Sequence, residues 1–456
     1  MLFQSQPFIL LFLPIVVIAY YVTATSERSR QALLLAASLV FYGWWDVRFV
    51  PLLVIQVSVT WFLARIHEKH ANLLWIDVGV ALNLLSLGVF KYLNFLVALV
   101  EDAVGVTLPR AEIVLPIGIS FFSFQLISYL IDRRRGQAPL YPFRQFALFV
   151  MVFPHLIAGP IVRHNELIPQ FSLDPLRAGL WQRLGCGMTI FSIGFAKKVL
   201  LADHLAEMVD RLFAAASVRA LDLGEAWSGA LGFTFQLFLD FSAYTEMAIG
   251  IALLFGLTLP ENFNRPYLAI DLREFWRRWH ISLSNFLRDY LFIPLGGSRR
   301  GYPRYVLATL VTMGLCGLWH GAGWTFVAWG ILHGIGLVVC RAWQRSGLKL
   351  PLIAAWAMTM AFVLIGWVIF RASSFAAAGS MLHSMSGLRG LSGGLEEPGL
   401  LLASAMTSVL VPSAHQLKDR FLQPNFALAA GAAILAIICI FDVGGGSPIN
   451  FIYFQF

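Results

Sequence analysis

Long apolar stretches separated by short polar ones dominate the chain. They fall near residues 7–23, 31–45, 49–64, 76–100, 113–131, 145–162, 184–202, 226–258, 305–343, 350–370, 398–412 and 426–441. A helix of about 20 apolar residues crosses the hydrocarbon core of a bilayer, so several of these runs have room for more than one helix or for a broken one. The pattern predicts an all-α polytopic membrane bundle of roughly ten to thirteen membrane segments. Pro116, Pro142, Pro154, Pro160 and Pro169 crowd the middle of the chain, so helices there should be kinked, short or re-entrant. Irregular backbone at membrane depth survives only against protein or a water-filled cavity, which implies a central tunnel.

A chain that is 58% hydrophobic and 13% charged is outside the range of water-soluble globular domains. Its 456 residues would make two or three soluble domains, but a bundle in lipid runs this far as one unit, so a single domain over 1–456 is expected. The first apolar run, Phe8 to Val22, has no basic residue before Arg28 and no small-residue cleavage site, and reads as a retained span. Cys186, Cys316, Cys340 and Cys439 form no CxxC pair and no histidine-cysteine spacing, so neither a disulfide nor a metal site is expected. The net charge of +8 is uneven: the loops at Arg28 and Arg30, at Asp132 to Arg135, and at 261–304 are basic, whereas 101–112 and 203–225 are acidic. The basic set should face the cytoplasm, with the amino terminus outside. Basic loops beside membrane helices are ordinary, so nucleic acid is not an expected partner; membrane lipid is.

Within 261–304 stands Arg273-Glu-Phe-Trp-Arg277-Arg278-Trp279-His280-Ile-Ser-Leu-Ser284. Helical spacing puts Arg273, Arg277, Ser284 and Arg288 on or near one face, with Phe275, Trp279, Leu283, Phe286 and Tyr290 on others. A helix lying in the membrane interface, aromatic side down, accounts for the arginines; it leaves His280 without a reason. His320 follows Cys316-Gly-Leu-Trp319 and precedes Gly321-Ala-Gly323, small residues that admit a second backbone or a substrate. A neutral imidazole at that depth can take a proton from a hydroxyl nucleophile; the alternative is a histidine that bridges helices. His333, again between small residues, reads as a packing group. Asp240 and Glu246 interrupt an apolar run, and buried acids need a partner or a proton, so they either hold arginines of 261–304 or line the cavity. The chain ends Phe451-Ile-Tyr453-Phe-Gln-Phe456 after a Gly-rich stretch, either an interfacial aromatic anchor or a carrier of one phenolic nucleophile. No GxSxG elbow, HExxH pattern, P-loop or dinucleotide fingerprint is present, which leaves hydrolase, metalloprotease and NTPase readings unsupported.

These elements, with Pro116-Ile-Gly-Ile-Ser-Phe-Phe-Ser-Phe-Gln125 and Leu156-Ile-Ala-Gly-Pro-Ile161, together closely resemble the membrane-bound O-acyltransferase superfamily over nearly the whole chain. The resemblance is to its bacterial branch of alginate O-acetylation, peptidoglycan O-acetylation and teichoic acid D-alanylation membrane proteins. It implies an acyl group taken from a cytoplasmic thioester, passed through a tunnel and delivered to an extracytoplasmic polymer, in the bacterial inner membrane. The family's two hallmark histidines map onto His280 and His320, its Asp-Phe-Ser-Gly-Tyr-Ser-Asp element onto Asp240-Phe-Ser-Ala-Tyr-Thr-Glu246, and the tyrosine of its carboxy-terminal motif onto Tyr453. The implied assignment is catalysis by His320, His280 and Tyr453, with Arg277, Arg278, Trp279, Ser284, Trp319, Asp240 and Glu246 binding the donor or lining the tunnel. Acetyl-CoA is the expected donor, with no permanently bound cofactor, and a hydrolase-like extracytoplasmic acetyltransferase is the expected partner in modifying a polysaccharide. The rivals are a D-alanyl or lipid-directed transferase and, in another class, a transporter that moves a small solute without covalent chemistry.

Overall fold

The computed structural model describes residues 1–421, 425–444, 451 and 452. These residues form helices and connecting loops, with no β-strand among them. Among the described residues, seven helical stretches are long and apolar enough to cross a bilayer: Val47–His70, Leu74–Val104, Leu180–Ala216, Leu223–Leu254, Trp324–Ser346, Leu352–Arg371 and Phe426–Val443. Phe8–Val22 and Pro398–Leu410 are shorter apolar helices. Packing separates their roles. The apolar part of Leu223–Leu254 is wholly buried in protein, whereas that of Phe426–Val443 is almost entirely on the outside, as a helix solvated by lipid would be.

By their contacts the residues group into two compact units. One comprises Met1–Ser192, Thr245–Pro260 and Leu422–Ile434; the other Ile193–Tyr244, Glu261–Phe421 and Leu435–Phe456. In the first, the proline-rich middle of the chain behaves as its sequence predicts. The helix Phe143–Met151 ends two residues before Phe153-Pro154, since a residue preceding proline is driven out of the helical region. Buried irregular backbone follows from Val152 to Val162, and protein groups satisfy part of it: the Phe153 N–H donates to Ser38 Oγ at 3.0 Å. Gly118, at φ 77°, lets this loop close in, because a Cβ there would lie 2.9 Å from the Leu156 carbonyl oxygen. The second unit holds the histidines.

Candidate active site

The arginine-rich stretch departs from the single helix its spacing predicts. It forms two short helices, Leu272–Arg278 and Ile281–Leu287, with Trp279 and His280 at the bend and His280 in the left-handed region at φ 42°, ψ 56°. The cause is a neighbouring segment the pattern did not reveal. Asn264 donates its N–H to the Arg278 carbonyl at 3.0 Å, and the Ile281 N–H donates to the Asn262 carbonyl at 2.9 Å. Asn262 Oδ1 also accepts from Ser282 N–H and Oγ, at 3.2 and 2.6 Å. These bonds replace the helical ladder at the bend and turn the imidazole inward, where it is fully buried. Left-handed backbone at a non-glycine residue costs on the order of 1–3 kcal/mol and persists only where its surroundings enforce it.

The aromatic side of this stretch packs into protein instead of lipid. Trp279 stacks on Phe275 at 5.6 Å and meets Trp367 at 4.9 Å; Trp276 is buried as well. The interfacial-helix explanation therefore fails for the aromatic residues, because the chain supplies its own apolar partners.

His320 is the last residue of the helix Tyr302–His320, which pairs tightly with Trp324–Ser346. The approach needs glycine on both sides: a Cβ at Gly317 would fall 2.1 Å from the Phe326 carbonyl oxygen, and one at Gly330 2.2 Å from that of Met313. The turn delivers His320 into a run of rings. Trp319 lies 6.2 Å from His280 and 4.9 Å from His320. Trp329 lies 5.2 Å from His320 and 4.8 Å from His333. Trp276 Nε1 donates to His333 Nδ1 at 3.3 Å. The tryptophans thus connect His280, His320 and His333, residues 40 and 13 positions apart in the chain. His333 is packed among these rings, as its small neighbours suggested, and accepts the Trp276 hydrogen bond. Burial pushes the His280 imidazole down to about 3, so it is neutral at any working pH.

Beside the rings is a cavity of about 440 Å³ whose walls include Arg273, Trp276, Arg277, Ser284, Arg288 and Arg341. The face expected from helical spacing, Arg273, Arg277, Ser284 and Arg288, is present, even though the helix carrying it is bent. Arg278 is turned elsewhere, into a 2.6 Å ion pair with Glu274, and Arg299 and Arg300 are exposed outside the lining. The Thr312 hydroxyl, in the cavity wall, is buried and finds no hydrogen-bond partner among the described residues. A cavity with several guanidinium groups and an unsatisfied hydroxyl suits a phosphorylated, polar ligand.

Asp240 is paired with Lys198 Nζ at 2.9 Å, not with an arginine of 261–304, and Lys198 also meets Asp203 at 2.7 Å. Glu246 is buried further along the same helix. Tyr453 lies outside the described residues. Sequence reasoning missed Asn262, Lys198, Trp276 and Trp329. Lys198 was detectable, since a lysine inside an apolar run needs a partner; Asn262 was not, because its bonds reach residues 20 positions on.

Buried imidazoles near a basic cavity, within a helical membrane protein, make up a candidate intramembrane active site. Residues 16–378 match the membrane-bound O-acyltransferase family, and the chain belongs to that family; it is a multi-pass membrane acyltransferase. It is similar to the peptidoglycan O-acetyltransferase of Helicobacter pylori, with 39% identity over 432 residues, 86% of this chain and 81% of that protein. It is also similar to the probable alginate O-acetylase of Pseudomonas aeruginosa, with 43% identity over 396 residues, 84% of this chain and 75% of that one. The teichoic acid D-alanyltransferase of Streptococcus thermophilus is 32% identical over 242 residues, covering 50% of this chain and 58% of that protein.

Proposed function

We propose that this acyltransferase takes acetyl from cytoplasmic acetyl-CoA and passes it across the bacterial inner membrane for O-acetylation of an extracytoplasmic polysaccharide. The observation that carries the reading is the arginine-rimmed cavity, whose wall residue Trp276 is hydrogen-bonded to His333 in the same run of rings that holds His320 and His280. Guanidinium groups are suited to the phosphates of CoA. Acetyl fits better than D-alanyl because relatives 39% and 43% identical over most of the chain carry O-acetyl names, while the D-alanyltransferase of Streptococcus thermophilus matches half of it.

In this mechanism His320 takes the proton from the Tyr453 hydroxyl, and the phenolate oxygen attacks the thioester carbonyl. Neutral His280 polarises that carbonyl or positions it. The C–S bond breaks, an aryl ester forms, and the departing thiolate recovers the proton from His320. A phenol of pKa about 10 is a far better leaving group than a sugar hydroxyl, so the tyrosyl ester stays activated for transfer to the partner acetyltransferase.

Purified protein exposed to isotopically labelled acetyl-CoA without acceptor tests this by mass spectrometry of its carboxy-terminal peptide. An acetyl increment on Tyr453, absent in His320→Ala and in Tyr453→Phe, is expected. A peptide that stays unmodified in active protein, or an active His320→Ala variant, overturns the mechanism.

A further inference from the structure

Phe451 and Ile452 are each only 1% exposed, although they lie at the far end of the sequence from the helix that receives them. Phe451 stacks on Tyr244 at 4.7 Å and meets Phe241 at 5.6 Å. Phe241 in turn packs edge-on against the His280 imidazole at 4.7 Å. Phe451 is therefore seated one ring away from a candidate catalytic histidine. The main chain is held as well: the Ile452 N–H donates to Asp240 Oδ2 at 2.7 Å.

The two carboxylate oxygens of Asp240 divide the work. Oδ1 takes Lys198 at 2.9 Å and Oδ2 takes the tail amide, while Asp203 holds the other side of the Lys198 ammonium at 2.7 Å. A buried backbone N–H must find an acceptor, and a carboxylate whose orientation is fixed by an ion pair is a strong one. The arrangement is costly unless it does something: Asp240 and Lys198 are taken out of water, and Asp203 largely so, around the site that receives the amide. A merely apolar end of the chain would be held by Tyr244 and Phe241 alone.

We propose that Asp240, oriented by Lys198 and Asp203, is a positioning residue that anchors Phe451 and Ile452 beside His280 by capturing the Ile452 amide. The link to acyl transfer rests on the reading of Tyr453 given above; the anchor itself does not.

The anchor is read directly by amide hydrogen exchange on the full-length protein in detergent. The wild-type carboxy-terminal peptide should carry one slowly exchanging amide. In Asp240→Ala that protection is lost while peptides from 223–239 stay protected. A second pair of variants leaves the helix Leu223–Leu254 unsubstituted. Ile452→Pro removes the N–H along with the isoleucine side chain, and should lower turnover roughly tenfold to hundredfold, the worth of a hydrogen bond to a charged group, with the KM for acetyl-CoA unchanged; Ile452→Ala, which loses the side chain but keeps the N–H, should lose far less. Unchanged tail exchange in folded Asp240→Ala overturns the proposal; should Asp240→Ala fail to fold, loss of the slow amide in Ile452→Ala, which keeps the N–H, overturns it as well, whereas equal activity of the two Ile452 variants removes only the link to acyl transfer. Tyr453→Phe separates the two ideas. It should keep the slow amide, so full activity in that variant would remove the acyl-tyrosyl step while the exchange measurement still tests the anchor.

Discussion

His280 occupies a backbone conformation that suits glycine, at φ 42°, and it does so with its imidazole fully buried. Removing the ring exposes the backbone cost by itself. His280→Gly should be about 1 kcal/mol more stable than His280→Ala, the reverse of the order inside a helix, as measured by thermal unfolding in detergent; both should be nearly inactive. Acid provides an independent check. The imidazole binds its proton near 6.5 in the unfolded chain and only at about 3 in the folded one, so between these values the unfolded state holds more protons. Stability from this group is complete above pH 6.5 and falls as pH drops through that window, by up to about 1.4 kcal/mol per pH unit. His280→Gln should flatten the slope of unfolding free energy between pH 6.5 and 5; an unaltered slope would place the titration elsewhere.

At the scale of elements, the hairpin of Tyr302–His320 and Trp324–Ser346 positions His320, and glycine makes it possible. Adding a methyl at Gly317 or Gly330 brings it within 2.1 or 2.2 Å of a facing carbonyl oxygen, whereas at Gly323 the nearest atom would be 3.5 Å away. Gly317→Ala and Gly330→Ala should each cost on the order of 1–3 kcal/mol through overpacking, seen as a lower melting temperature together with lost activity. Gly323→Ala should melt close to the wild type. Equal behaviour of all three would mean that helix approach does not set the position of His320. The bent 272–287 element makes a related point. Its aromatic periodicity is that of an amphipathic helix, and nothing local marks the break at His280, because Asn262 and Asn264 make it from a separate segment.

For the molecule as a whole, the proposed function has the net charge of +8 serve both topology and ligand binding, and position relative to the cavity separates the two uses. Arg277 and Arg288 line it, while Arg299 and Arg300 do not. Arg277→Glu and Arg288→Glu should raise the apparent KM for acetyl-CoA about tenfold or more with little change in kcat, the signature of lost uniform binding. Arg299→Glu and Arg300→Glu should change it much less. A uniform response across the four would assign these arginines to topology alone.

The sequence by itself determined what depends on composition and short-range spacing. Apolar runs of span length gave the helices and the membrane, proline crowding gave the broken middle of the chain, and the spacing of Arg273, Arg277, Ser284 and Arg288 gave one wall of the cavity. It also singled out His280 and His320 as polar groups in costly surroundings. Tertiary structure decided which of these groups meet. His280 and His320 share Trp319, Asp240 is paired with Lys198 instead of an arginine, and the tail at Ile452 returns to a helix 212 positions earlier. Such pairings are set by which faces pack together across long stretches of chain. A local pattern records that a buried charge or amide needs a partner, but only the packed fold selects which one.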